Sequence, residues 1–89
     1  MNHIPQKKLS EQIESAKQKV RVGGLYSHYK SDDKLYNVLM VAILEANDEL
    51  CVIYQAQYDE KLTFVRPLRS WLEPADWNGK RVPRFTLKD

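Results

Sequence analysis

From residue 22 onward the chain reads in twos. Residues 25–30 alternate, with Tyr26 and His28 on one side and Leu25, Ser27 and Tyr29 on the other. Residues 50–58 do the same: Leu50, Val52, Tyr54, Ala56 and Tyr58 share one side, and Cys51, Ile53, Gln55 and Gln57 the other. A period of two belongs to strands, whose successive side chains leave opposite faces of a sheet. Polar clusters of turn composition separate the runs: Ser31-Asp32-Asp33-Lys34, Asn47-Asp48 and Asp59-Glu60-Lys61. In a chain of 89 residues this pattern leaves room for one small antiparallel β-domain.

The remaining segments complete it. Residues 35–44 are apolar on both sides, which marks the central and most buried strand; Val38, Val41 and Ile43 favour strand over helix. Residues 62–66 form a strand stopped by Pro67, which cannot donate to a ladder. Residues 69–72 fit one helical turn, residues 74–79 a loop with Asn78-Gly79 at its tip, and residues 82–87 a last edge strand. About five strands at hairpin spacing predict a mainly β fold, a small five-stranded antiparallel SH3-like barrel whose first and last strands lie side by side. Before it, residues 1–8 read as a tail. Residues 9–20 read as a helix: Leu9, Ile13, Ala16 and Val20 recur at helical spacing, Ser10 suits the N-cap, and Gly23-Gly24 stops it. The division is thus a tail and helical extension, 1–22, and a β-barrel domain, 23–89.

Composition narrows the function classes. The lone Cys51 permits no internal disulfide and fits a reducing compartment. No signal peptide is recognisable at the start. The longest apolar run, residues 38–44, falls far short of a membrane span. The expectation is a soluble cytoplasmic protein without a membrane partner. Net charge is only +2, but it is unevenly spread. Residues 1–34 carry seven Lys/Arg against four Asp/Glu, residues 35–65 one against five, and residues 66–89 six against three. If the first and last strands meet, the basic ends merge into one patch; otherwise the charges form a mixed solvated surface. A core this small is marginal alone, so a protein partner or a homodimer, with the N-terminal helix as contact, is a natural source of support.

Four blocks, with Tyr36-Asn-Val-Leu-Met-Val-Ala42 between the first two, carry a resemblance: Gly24-x-Tyr26-x-His28-Tyr29-Lys30, residues 52–58 with Tyr54-Gln-Ala56, residues 64–68 with Val65-Arg-Pro-Leu68, and Gly79-Lys-Arg-Val-Pro-Arg-Phe85. In this order they are similar to an uncharacterised bacterial family, domain of unknown function 1653, over about residues 23–85. The chain has Gln55 and Phe64 where that family often carries Arg and Trp. The resemblance implies a small stand-alone bacterial domain and brings no assigned activity.

The chemistry must therefore come from the residues. His28, beside Tyr29 and Lys30, suits a general base or, when protonated, an anion ligand; the structural alternative is a strand histidine bonded to a neighbour. Arg66, held before Pro67, offers a planar fork for a phosphate or carboxylate, or else pairs with Asp59, Glu60 or Glu73. Cys51 lies within an apolar strand, where a thiol behaves as a small hydrophobe. His3, His28 and Cys51 form no metal-ligand set, and Gly23-Gly24 and Gly79 match no phosphate loop. No catalytic residue, metal or cofactor is assigned. Tyr26, Tyr29, Tyr54, Tyr58, Arg66, Lys80, Arg81 and Arg84 interleave aromatic and basic groups as single-strand binders do, though alternation with Val, Leu and Ala turns about half the tyrosines inward. Trp71 is expected in the core and Trp77 nearer the surface.

The leading expectation is a non-catalytic binding module for an anionic ligand or nucleic acid, with His28, Tyr29, Lys30, Tyr54, Gln55, Arg66 and Arg84 as binding residues. The alternative is a protein-interaction module or homodimer. A small enzyme using His28 stands last, since no carboxylate is spaced to support it.

Overall fold

The computed structural model describes residues 4–89. The expectation for His3, in the tail, lies outside them. The elements in chain order are α1 (Gln6–Ala16), β1 (Leu25–His28), β2 (Ser31–Leu44), β3 (Glu49–Ala56), β4 (Thr63–Pro67), α2 (Leu68–Leu72), β5 (Ala75–Trp77), β6 (Lys80–Val82) and β7 (Phe85–Leu87). Five strands make one antiparallel sheet in the order β4-β3-β2-β1-β7, and β5 pairs with β6 in a separate hairpin.

The fold is mainly β, with the first and last strands adjacent as the strand pattern predicts: Tyr26 faces Leu87 and His28 faces Phe85 across β1 and β7. The sheet does not close into the expected barrel. Its edges, β4 and β7, do not pair with each other. The bridge between them is made by side chains instead. Trp71 of α2, which directly follows β4, stacks on Phe85 of β7. No helix among the described residues is long and apolar enough to cross a membrane.

Three local expectations need correction. The helix starts and ends earlier than residues 9–20. Pro5, extended at ψ 143°, leads into it, and its carbonyl accepts the Leu9 amide at 3.0 Å, so Ser10 lies inside the helix rather than capping it. Short bonds from Gln18 to Ser15 and from Lys19 to Ala16 then tighten the end. Leu9, Ala16 and Val20 of the predicted stripe are buried.

The first hairpin turns at Tyr29-Lys30, so Ser31–Lys34 begins β2. The His28 side chain explains the tight turn: its Nδ1 accepts the Lys30 amide at 3.2 Å. The supposed loop 74–79 contains β5, which folds back on β6 through Asn78 and Gly79, both at positive φ.

β2 is the middle strand, yet its outer face is open, with Met40 half exposed. Its apolar run has a specific cause. A bulge between Val38 and Met40 inserts Leu39 and switches the inward parity, so Tyr36 and Val38 point inward before it and Val41 and Ile43 after it. An alternating strand thereby reads as apolar throughout. The bulge also adds twist, helping the sheet curl over Val20, Tyr26, Val38, Val52, Tyr54 and Trp71. Tyr26 and Tyr54 each meet Trp71 edge to face, at 5.2 and 5.0 Å between centroids. The Tyr26 hydroxyl accepts the Arg21 amide at 2.8 Å, so the buried phenol is satisfied.

Candidate functional site

The inner face of the curled sheet is covered by α1 at one end and α2 in the middle. At the other end it opens into a cavity of about 280 Å³, lined by His28, Tyr36, Tyr54, Phe64, Arg66 and Phe85. Strand register assembles this set. His28 and Phe85 face each other across β1 and β7, and Tyr54 and Phe64 across β3 and β4. Arg66 follows Phe64 by two residues and so shares its face. Tyr36 stands one strand over from Tyr54, with rings 5.5 Å apart.

Arg66 is the one strong charge in the lining. Its Nη1 donates to Ser70 Oγ at 3.0 Å, its Nε reaches the Tyr54 hydroxyl at 3.5 Å, and its guanidinium lies 5.4 Å from the Phe85 ring centroid. None of the expected carboxylates pairs with it. Glu73 binds Arg84 instead, at 3.6 Å, and no ion pair to Arg66 occurs among the described residues. A half-buried guanidinium is thus held by neutral groups, with its charge uncompensated.

His28 meets the same field. Burial first, then the charges of Arg66, Arg84 and Lys30, lower its pKa from the ordinary 6.5. The ring is therefore neutral at pH 7. With Nδ1 accepting the Lys30 amide, the proton sits on Nε2 as a donor. The structural role and the site role coexist in one side chain. Tyr36 is raised to about 12, by burial first and then by its hydroxyl bond to Tyr58, and so remains a neutral phenol. The cavity offers a cation, neutral polar donors and aromatic walls, with no carboxylate in its lining.

Of the expected binding residues, His28, Tyr54 and Arg66 converge here. Tyr29 and Lys30 lie beside it: the Tyr29 ring packs on His28 at 4.5 Å, and Lys30 Nζ sits 5.7 Å from the Tyr29 centroid. Arg84 also lies against Tyr29, at 5.7 Å, while its Nε donates to the Glu73 carbonyl. Gln55 points to the other face of β3 and donates to the Lys61 carbonyl at 3.1 Å, bracing the β3–β4 turn. The lining residues Tyr36, Phe64 and Phe85 were missed by the sequence reading. The signal for Phe64 was its place two residues before Arg66 in a strand; Tyr36 was masked by the apolar run that follows it.

Cys51 is buried away from this end. Burial, and then Glu49, push its thiol up from the ordinary value, making it a poor nucleophile. Among the described residues no three His, Cys, Asp or Glu side chains gather to hold a metal.

The fold and cavity describe a small β-domain with a cationic, aromatic-walled recess. Residues 24–87 match the family model described as a protein of unknown function, DUF1653, and the chain belongs to that family. It is also similar to a DUF1653 protein from Bordetella bronchiseptica known from its crystal structure: 34% identity over 78% of this chain and 87% of the other, with a TM-score of 0.67. No curated protein matches the chain.

Proposed function

We propose that this domain is a non-catalytic binding module of the bacterial cytoplasm whose recess takes a small anionic ligand with a flat ring. We read the curled sheet as an SH3-like barrel left open at this end, so that the ligand enters between the first, third, fourth and last strands of the main sheet. The observation that carries the reading is Arg66: a charged fork without a carboxylate partner, aimed into a recess walled by four aromatic rings. An arginine so held loses little freedom when it binds a phosphate or carboxylate. The neutral His28 adds a donor, and the exposed sides of Tyr36 and Phe64, with the edge of Phe85, give apolar surface for a planar ring.

The test is a ¹⁵N-resolved NMR titration with uridine monophosphate, with inorganic phosphate alongside. Expected are saturable shifts at His28, Phe64, Arg66 and Phe85, larger for the nucleotide than for phosphate. Arg66→Lys, which keeps the charge but not the fork, should weaken nucleotide binding about tenfold. Absence of shifts with either probe at millimolar concentration, in a folded protein, overturns the reading.

Self-association is a second reading, favoured by a different surface. Met40, Ile53 and Val65 stand in one row across β2, β3 and β4 on the outer face, with Met40 50% and Val65 61% exposed. This row ends at the unpaired edge of β4. A second copy covering both would bury the row and satisfy the edge. The N-terminal helix is a weaker contact for this purpose, because Leu9 and Ala16 already pack within the chain. Light scattering across a concentration series tests it: the mass should rise, and Val65→Lys should abolish the rise.

A further inference from the structure

The recess is not an isolated group of rings. From it a chain of ring contacts runs in both directions. Phe85 meets His28 at 5.2 Å, His28 meets Tyr29 at 4.5 Å, and Tyr29 meets Trp77 at 5.5 Å. The other way, Phe85 meets Tyr36 at 6.3 Å, and Tyr36 meets Tyr58 at 5.5 Å. Six rings thus form a ribbon from Trp77 on β5 to Tyr58 beyond β3. Every one keeps exposed surface, Trp77 the most at 42%. The rings that build the core, Tyr26, Tyr54 and Trp71, are buried beneath them.

Cations accompany the ribbon along its length. Lys30 and Arg84 each lie 5.7 Å from the Tyr29 centroid, Arg66 5.4 Å from Phe85 and Lys34 5.2 Å from Tyr58. Among the described residues, Arg84 alone of these four is ion-paired, to Glu73. Lys30, Lys34 and Arg66 are therefore uncompensated charges, one near each end and one in the middle. Carboxylates do stand near both ends of the ribbon, Asp59 and Glu60 after Tyr58 and Asp76 before Trp77, but among the described residues none ion-pairs with Lys30, Lys34 or Arg66. The basic first and last segments meet where β1 pairs with β7, and the acidic middle segment contributes no carboxylate to the recess lining.

We propose that the ribbon binds a single strand of nucleic acid, with the recess holding one base and its phosphate and the flanking rings holding neighbours. This rests on reading the recess as an anion site. Three features choose this occupant. Partly exposed rings in succession match bases that follow one another along a strand; every base has a π-face, so such a platform needs no particular sequence. Cations interspersed with the rings match a phosphate between each pair of bases. A duplex keeps its base faces stacked away from such a surface, and a single free nucleotide uses only the recess.

The experiment is a fluorescence anisotropy titration of the intact chain with labelled twelve-nucleotide poly-dT and poly-rU, competed by uridine monophosphate. The expected result is that at least one polymer binds tenfold or more tighter than the mononucleotide. The logarithm of its affinity should fall with the logarithm of salt at a slope of roughly −2, as three contacted phosphates give at about 0.7 per phosphate. Trp77→Ala should weaken the polymer about fivefold or more. The Lys30→Ala, Lys34→Ala double variant should weaken it and reduce the salt slope. Both should affect the polymer more than the mononucleotide, which also shows that the variants are folded. Preference for poly-rU or poly-dT assigns the strand as RNA or DNA. If the mononucleotide binds but neither polymer binds tighter, or the variants change both equally, the ribbon proposal falls and the recess reading stands. If no nucleotide or polymer binds while phosphate does, the proposal falls and the recess is a plain anion site. If nothing binds, both fall.

Discussion

Phe85 lies flat on Trp71, with ring centroids 3.7 Å apart and planes 5° from parallel. This contact joins the last strand to the helical turn after β4, and so ties together the two edges that hydrogen bonds leave apart. It also fixes the Phe85 face that Arg66 overlies. Phe85→Ala should therefore remove both a stabilising stack and a wall of the recess. Phe85 is only partly buried, so the loss falls at the low end for a truncated aromatic, about 2–3 kcal/mol. Urea unfolding followed by tryptophan fluorescence measures it. A change below about 0.5 kcal/mol would mean that the edges are held by something other than this stack.

His28 makes a pH prediction whose sign is fixed by its surroundings. Its pKa in the folded chain is below 6.5, because burial and then Arg66, Arg84 and Lys30 oppose its charge. The unfolded chain thus binds the proton more readily. Stability from this residue is fully present above 6.5, declines as pH falls from there to the folded value, and is flat below it. His28→Gln should flatten that part of the stability curve. An anion in the recess should oppose the same repulsion, so saturating phosphate should raise the His28 pKa, as read from its ring proton shifts. An unchanged pKa would place the anion elsewhere.

The strand pattern was legible because alternation and turn composition are local. The four long strands and the short α2 follow from it, whereas the start of β2 read as turn, β5 read as loop, and residues 82–87 read as one strand although Val82 ends β6 and β7 begins at Phe85. The open edge was not legible, since closure depends on whether β4 and β7 meet in space. The apolar stretch of β2 misled for a physical reason: the bulge at Leu39 shifts the parity, and two half-apolar faces read as one buried strand. The candidate site was legible in part. His28, Tyr54 and Arg66 came from side-chain chemistry, whereas Gln55 was drawn in by its neighbour Tyr54 although alternation sends it to the opposite face. Glu73 looked available to Arg66 in the sequence but pairs with Arg84, and this leaves the recess cationic.

Gly23-Gly24 reads as a helix stop, but the helix ends at Ala16 and the two glycines do different work. Gly23 takes φ +85°, while Gly24 needs space rather than conformational freedom. A Cβ on Gly24 would lie 2.9 Å from Leu87 Cδ1 and 3.0 Å from the Arg21 carbonyl oxygen. The leucine can move but the backbone oxygen cannot do so cheaply, because it accepts the Gly24 amide at 3.1 Å. Gly24→Ala should cost about 1–3 kcal/mol and weaken the β1–β7 edge first. Amide exchange at Lys88, which bonds the Leu25 carbonyl at 2.7 Å, reports that edge. Equal exchange in both proteins would show that the close approach relaxes freely.

Arg66 and Gln55 give opposite predictions from neighbouring strands, and together they separate site from scaffold. Gln55 lies on the outer face, where its bond to Lys61 steadies a turn that contains Asp59 and Lys61 at φ 50° and 54°. Gln55→Ala should lower stability by about 1 kcal/mol and leave nucleotide affinity as it is. Arg66 braces Ser70 and Tyr54 through hydrogen bonds to their neutral hydroxyls and also supplies the recess charge. Arg66→Gln keeps a donor at the place of Nε, facing the Tyr54 hydroxyl, while removing that charge and the bond to Ser70. Stability should change by no more than about 1 kcal/mol, since one hydrogen bond is lost but a cation without a counter-charge goes with it, and affinity for uridine monophosphate should fall tenfold or more. The comparison needs only thermal melts and one titration per variant. If both substitutions alter stability alone, Arg66 is scaffold like Gln55, and the aromatic recess has lost its anchor for an anion.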